Sequence, residues 1–240
     1  MCYHKTITKD KRYLEERFKV PFEKPDLFTE SYHVNGFSHS QLPIISNVKP
    51  EVISLFNWGL IPRWVKDKTQ ANEMRIRTLN AKSETVFDLP SFREPIKTNR
   101  CLVIADGFFE WRDYKKNKYP YYITLKDNDA FAMAGIWECW IDKSTGEEVK
   151  TYSVLTCPAN PLMAKIHNGK ERMPVILPKE LEKNWLKNDL TKEELQTFFL
   201  PYPDEEMKAC TISKLITSRT ENSNVSKLLD VVEYPELERL

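Results

Sequence analysis

Glycine is scarce in this 240-residue chain, at six residues. That works against glycine-rich phosphate loops, and neither GxGxxG nor GxxxxGK[ST] is present. No CxxC or HExxH occurs, so the spacing gives a metal site no support. No apolar run approaches the ~20 residues of a membrane-spanning helix. The opening Met1-Cys2-Tyr3-His4-Lys5 lacks the apolar stretch of a signal peptide. An excess of one charge is missing too: 36 Lys+Arg stand against 35 Asp+Glu, net +1. Net charge therefore argues neither for nor against a polyanionic partner. Cys2, Cys101, Cys139, Cys157 and Cys210 make an odd count without paired spacing. This excludes a disulfide framework and points to a reducing compartment, cytoplasmic or nucleoid-associated. The last four lie in apolar strand-like settings and read as inert core residues.

What is present reads as globular: 41% apolar and 30% charged residues. Residues 58–120 carry 13 basic against 8 acidic side chains, a mildly basic middle. Neither repeats nor a Gly/Ser linker divide the chain, so a single domain is expected over residues 1–220, with a C-terminal helical tail (221–240) packed on it. The tail's stripe is Val225, Leu228, Leu229 and Val232. The centre reads as strands: 100–111, 121–126, 131–140 and 149–157, an apparent antiparallel meander, with 31–37 and 52–58 before it. Helices are expected at 10–18, where Leu14 and Phe18 share a face, and after the capping box Thr191-Lys192-Glu193-Glu194, with Pro201 and Pro203 as stops. The class is α+β: a curved, mostly antiparallel sheet or barrel-like core flanked by helices.

Cys2 is the most informative residue. Removal of Met1 would leave a cysteine with a free α-amine. That amine titrates at roughly 8 and the thiol near 8.5, so both nucleophiles are accessible near neutral pH. A 1,2-aminothiol condenses with an aldehyde to an imine, which the sulfur closes to a thiazolidine. Alternatively, the thiolate attacks an amide carbonyl with the amine as base, as in N-terminal-nucleophile hydrolases. A frayed, inert terminus is the third possibility.

Three further stretches accompany Cys2. They are Trp58-Gly59-Leu60-Ile61-Pro62-Arg63-Trp64 with Leu79-Asn80-Ala81-Lys82-Ser83-Glu84-Thr85, Ala105-Asp106-Gly107-Phe108-Phe109-Glu110-Trp111, and Ile166-His167 with Arg172-Met173-Pro174-Val175-Ile176-Leu177. In this order and spacing, the chain resembles the SOS-response-associated peptidase (SRAP) family over roughly residues 1–220. The resemblance implies a protein that binds single-stranded DNA and joins its N-terminal cysteine to an abasic site as a thiazolidine. It carries catalytic roles onto Cys2, Asn80, Glu110 and His167, and implies no cofactor, metal or membrane. Phosphate contacts map onto Lys82 and Arg172. Trp58, Arg63, Trp64, Lys66, Lys68, Arg75 and Arg77 interleave rings with cations, as a stacking and phosphate-neutralising surface requires. Trp64 is the expected stacking or wedge residue, and Trp58 belongs to the core.

The residue types suit the chemistry. An abasic sugar is mostly a closed hemiacetal, and a carboxyl or imidazole beside the ring can move the proton that opens it. His167 is assigned to ring opening and reversal. Glu110 is assigned to orienting the amine and shuttling protons, though on sequence the two roles are interchangeable. Asn80 would hold the sugar or the Cys2 backbone. The sequence also departs from the family, which usually begins Cys-Gly-Arg-Phe. Lys82 replaces a common arginine, and Asn168-Gly169-Lys170-Glu171 lengthens the segment after His167. Three rival readings remain: an amidohydrolase such as a glutamine amidotransferase, an (auto)peptidase using the same Cys2, and a non-covalent single-strand binding module. A monomer is expected.

Overall fold

The computed structural model describes residues 2–237. Strands β1 (His4–Ile7), β2 (Ser31–Asn35), β3 (Gln41–Ser46), β4 (Lys49–Trp58) and β5 (Asn80–Lys82) come first. Then follow β6 (Arg100–Ala105), β7 (Gly107–Tyr114), β8 (Asn117–Leu125), β9 (Phe131–Ile141) and β10 (Glu148–Pro158). Short strands β11 (Arg172–Pro174), β12 (Ile176–Leu177) and β13 (Met207–Thr211) complete the set.

Five of these strands close on themselves. β10 runs parallel to β4, β4 antiparallel to β3, β3 to β6, β6 to β9, and β9 back to β10. This ring is the barrel-like core expected from the sequence, and closure removes its free edges. Gly135 in β9 allows close packing there. A Cβ at that position would lie 2.6 Å from Val103 Cγ2 and 2.9 Å from Cys101 Sγ. A second, antiparallel sheet runs β13-β8-β7-β1-β2 beside the ring. One apolar core unites the two, from Ile7 and Phe108 to Ile44, Val103 and Val154.

The stretch 100–111, expected as one strand, is two strands in different sheets. Asp106 makes the break. Its carboxylate accepts hydrogen bonds from the Thr6 and Thr8 hydroxyls and the Thr8 and Lys9 amides, tying the crossing point to the end of β1. The expected meander therefore divides as well. β8 belongs to the second sheet, whereas β9 and β10 belong to the ring, and β10 also pairs in parallel with β5.

Helix α1 (Lys11–Phe18) starts where Asp10 caps the Tyr13 amide, and it buries Leu14 and Phe18. After it come α2 (Lys68–Arg77), α3 (Pro95–Thr98), α4 (Pro161–Ile166), α5 (Glu182–Trp185) and α6 (Lys192–Gln196). Both halves of the capping box form at the start of α6. The helix ends at Gln196, before either proline reaches it. The stripe Val225–Val232 forms only a 3-10 turn at Ser226–Leu229, because Val231 leaves it to bridge Ile212 while Leu228 packs on Phe109. Of the four cysteines taken as core, Cys101 and Cys157 are buried, whereas Cys139 and Cys210 are partly exposed. No helix among the described residues is long and apolar enough to cross a membrane.

Candidate active site and nucleic-acid interface

Cys2 is fully buried just ahead of β1. Asn80, at the start of β5, donates from Nδ2 to the Cys2 carbonyl at 2.9 Å. Its place is set by the parallel pairing of β5 with β10, Asn80 opposite Val154. The amide's other atom, Oδ1, is buried and lacks a hydrogen-bond partner among the described residues. Asn80 thus fixes the backbone of Cys2 and keeps one acceptor in reserve.

Glu110 reaches the same place from β7. The β1–β7 register sets His4 opposite Phe109, which brings Glu110 level with Tyr3. His167 caps α4, its amide donating to the Met163 carbonyl. Its Nδ1 lies 2.8 Å from the Arg172 carbonyl oxygen. That oxygen can only accept, so Nδ1 carries the proton and Nε2 is the bare nitrogen. Nε2 faces Glu110 Oε2 at 3.7 Å.

The electrostatics of this pair are opposed. Burial pushes Glu110 up to about 7. Burial pushes His167 down to about 4, despite its bond to the Arg172 carbonyl. Between those values the pair is a neutral carboxylic acid beside a neutral imidazole, a proton donor next to a proton acceptor. Burial, with Glu110 adding to it, also pushes the Cys2 thiol up to about 12.

A cavity of about 440 Å³ opens over the pair, lined by Tyr3, Glu110, Trp111, Lys118, His167 and Lys170 among others. Lys118 and Lys170 were missed by sequence reasoning, although Lys170 belongs to the lengthened segment after His167. Lys118 is tied to Asp113 at 2.9 Å.

The expected DNA contacts are arranged less uniformly. Trp64 is 48% exposed, whereas Trp58 is fully buried. The loop under Trp64 is firm: the Val65 amide closes on the Pro62 carbonyl, and Trp140 Nε1 donates to the Val65 carbonyl at 2.8 Å. Lys82 and Arg77 are exposed. Arg63 forks onto the Glu138 carboxylate at 3.0 and 3.1 Å. Arg172 is buried, paired through both terminal nitrogens with Glu84 and bonded to the Thr156 carbonyl. A phosphate at Arg172 must therefore compete with Glu84. Among the described residues, no group of three or more His, Cys, Asp or Glu could hold a metal ion.

Residues 1–219 match the SOS response associated peptidase family. The chain belongs to the SRAP family. The chain is 36% identical over 226 residues to the abasic site processing protein YoqW of Bacillus subtilis, covering 93% of this chain and 97% of that one. The abasic site processing protein HMCES of Gallus gallus is 29% identical over 195 residues, 73% of this chain and 54% of its own. A crystal structure of a Bacteroides thetaiotaomicron protein superimposes with a TM-score of 0.91 at 38% identity, over 97% of this chain and all of that one. One from Bordetella bronchiseptica gives 0.76 at 27% identity, over 88% of this chain and all of its own. In this SRAP chain, Glu110 and His167 line one cavity and Asn80 holds the backbone of Cys2, although the four lie far apart in sequence.

Proposed function

We propose that this SRAP protein processes abasic sites in DNA. After loss of Met1, it captures the lesion aldehyde in single-stranded DNA as a thiazolidine on Cys2. The observation that supports this most is the Glu110–His167 pair beside Cys2. Its carboxyl is protonated and its imidazole neutral over the same pH range. Ring opening needs both at once. His167 Nε2 takes the hydroxyl proton of the hemiacetal while Glu110 protonates the ring oxygen, and the aldehyde is released. The proton returns across the pair.

The α-amine of Cys2 then adds to the aldehyde carbon, giving a carbinolamine. Glu110 protonates its hydroxyl, water leaves and an iminium remains. The Glu110 carboxylate takes the thiol proton, sulfur bonds to the same carbon, and the C=N pair returns to nitrogen. The net change is aldehyde plus aminothiol to thiazolidine plus water. Asn80 holds the Cys2 backbone through these steps. Trp64 stacks on a base, and Lys82, Arg77 and Arg63 neutralise phosphates, with Arg172 available where Glu84 yields. The protein works as a monomer, without cofactor, in the cytoplasm and on nucleoid DNA. Lyase or peptidase activity would use the same Cys2.

The test is a denaturing gel of Met1-free protein with a single-stranded oligonucleotide carrying one abasic site. A heat-stable shifted band that needs both Cys2 and the abasic site is expected. If the wild type gives no band while a glutaminase or peptidase assay responds to Cys2→Ala, the hydrolase reading takes its place.

A further inference from the structure

Residues 168–171 lengthen the chain after His167, and they form a braced turn. The Lys170 and Glu171 amides both return to the His167 carbonyl, at 3.1 and 2.7 Å. Glu171 takes a positive φ of 50°, and its carbonyl accepts from the Ala159 amide at 2.9 Å. Asn168 clamps the other side. Its Oδ1 accepts from the Asp113 amide at 2.9 Å and its Nδ2 donates to the Asp113 carbonyl at 2.8 Å. The side chain thus pairs with β7 through both bonds, as a neighbouring strand would. Gly169 lets the turn approach closely, since a Cβ there would stand 3.2 Å from Asp113 Oδ2. Held at both ends, the turn sets Gly169 and Lys170 on the wall of the cavity that Glu110 and His167 share.

The charges on that wall do not cancel. Lys118 stands 2.9 Å from Asp113, and the two neutralise each other. Lys170 is exposed and forms no ion pair among the described residues. Glu171, the acid of the same turn, does not line the cavity. Glu110 is a neutral acid below about 7, and His167 is a neutral imidazole above about 4. One positive charge is therefore left over, and an uncharged sugar gives it no partner. An abasic nucleotide does. Its sugar carries a phosphodiester on each side, bonded through the 3′ and 5′ oxygens, so seating the sugar draws phosphate to the same wall. Nearby Arg172 is less free to meet it, because Glu84 already holds the guanidinium. An ammonium on a flexible stem, with three donors, can also follow a phosphate as the ring opens.

We infer that Lys170 is a phosphate-binding residue of the lesion site, its ammonium taking the phosphodiester next to the abasic sugar and holding that sugar against Glu110 and His167. This rests on the abasic-site reading but not on the covalent step. Lys118 can join only by leaving Asp113, so its share is the smaller one. No covalent bond forms or breaks at Lys170.

The experiment measures binding by fluorescence anisotropy, with Met1-free protein and a single strand carrying one tetrahydrofuran residue, an abasic sugar that cannot form an aldehyde. Lys170→Met should weaken binding about threefold to tenfold in low salt. The slope of log K against log salt should flatten by about 0.7, one phosphate's worth. Lys170→Arg keeps the charge and should keep the slope. The exposed side chain carries none of the turn's bonds, so the variants fold, and an unchanged melting temperature verifies it. Strands with a neutral methylphosphonate on the 5′ or the 3′ side of the lesion locate the contact: on one of them, wild type and Lys170→Met should bind alike. An intact strand, whose base keeps the sugar out of the cavity, should be much less affected by the substitution. Unchanged affinity and slope in Lys170→Met overturn the inference. So does an equal loss on lesion and intact strands, or a loss that neither methylphosphonate removes, because Lys170 would then belong to a general cationic surface. Binding needs no adduct. A Lys170-dependent contact beside the lesion in a protein that gives no heat-stable band would therefore sink the thiazolidine reading and leave the phosphate site standing.

Discussion

His167 Nε2 stands 3.7 Å from Glu110 Oε2, and burial drives the two groups toward the same neutral state from opposite sides. A salt bridge would hold both protonation states fixed. A neutral acid beside a neutral base can exchange its proton with a sugar at little cost.

This arrangement predicts how adduct formation depends on pH. Ring opening needs Glu110 protonated, and Glu110 titrates at about 7. The single-turnover rate should therefore fall as pH rises through about 7. Glu110→Gln cannot titrate, so its profile should lose that limb and run about 10²–10⁴-fold lower throughout. Rapid-quench gels from pH 5 to 9 measure both. A Glu110→Gln profile that keeps the wild-type limb would assign it to another group.

The same carboxyl predicts an opposite effect on stability. An unfolded glutamate titrates near 4.3, whereas folded Glu110 titrates at about 7. Between these values the native state binds more protons, so its stability declines as pH rises. Above 7 the loss is complete. Glu110→Gln should then be more stable than wild type at pH 8, by on the order of 1–3 kcal/mol, and nearly equal to it at pH 4. Urea melts at the two pH values check this, and equal differences at both would remove Glu110 from the account.

Arg172 and Glu84 make a third case. The guanidinium is buried against a carboxylate that remains half exposed. If that carboxylate competes with a DNA phosphate, neutralising it should help binding. Glu84→Gln is expected to bind single-stranded DNA more tightly in low salt. The slope of log K against log salt should steepen by about one phosphate's worth, ~0.7. Fluorescence anisotropy across a salt series measures it, and weaker binding would show that Glu84 serves only to hold Arg172 in place.

Two tryptophans six residues apart in one sequence motif should behave unlike each other. Trp64 is 48% exposed and Trp58 is fully buried. Trp58 also donates through Nε1 to the Leu79 carbonyl, just before Asn80. Trp64→Ala should cost about 1–3 kcal/mol of DNA binding with little change in melting temperature. Trp58→Ala should cost about 3–5 kcal/mol of stability.

Local signals in the sequence were read well. The shared face of Leu14 and Phe18 and the Thr191 capping box each act within a few residues, and each stands where expected. Less visible were pairings between distant segments. The parallel contacts of β10 with β4 and β5 decide which strands form the ring, and apolar runs buried on both faces carry no mark of their neighbours. Asp106 breaks a strand through bonds to Thr6, Thr8 and Lys9, a hundred residues away. The four catalytic candidates were named on motif order. Lys118 and Lys170 were not, since a surface lysine looks alike whether or not a cavity opens beside it. The burial of Lys5 inside the ring, its ammonium on the Ile104 carbonyl, escaped for the converse reason: lysine reads as exposed.

That enclosure makes a last prediction, independent of DNA. Lys5 titrates at about 7 in the folded protein, against roughly 10.4 in the unfolded chain. Below 7 both states are charged, so the desolvation cost of the buried ammonium is borne in full. Between 7 and 10.4 the unfolded chain binds more protons, and native stability rises with pH as the cost is relieved. Lys5→Met removes the charge at every pH. Its gain in melting temperature should therefore be larger at pH 6 than at pH 9, the reverse of the order expected for Glu110→Gln. Calorimetry of both variants at the two pH values tests the pair together. A pH-independent difference for Lys5→Met would mean that the ammonium keeps its charge throughout, held by its neighbours more firmly than burial opposes it.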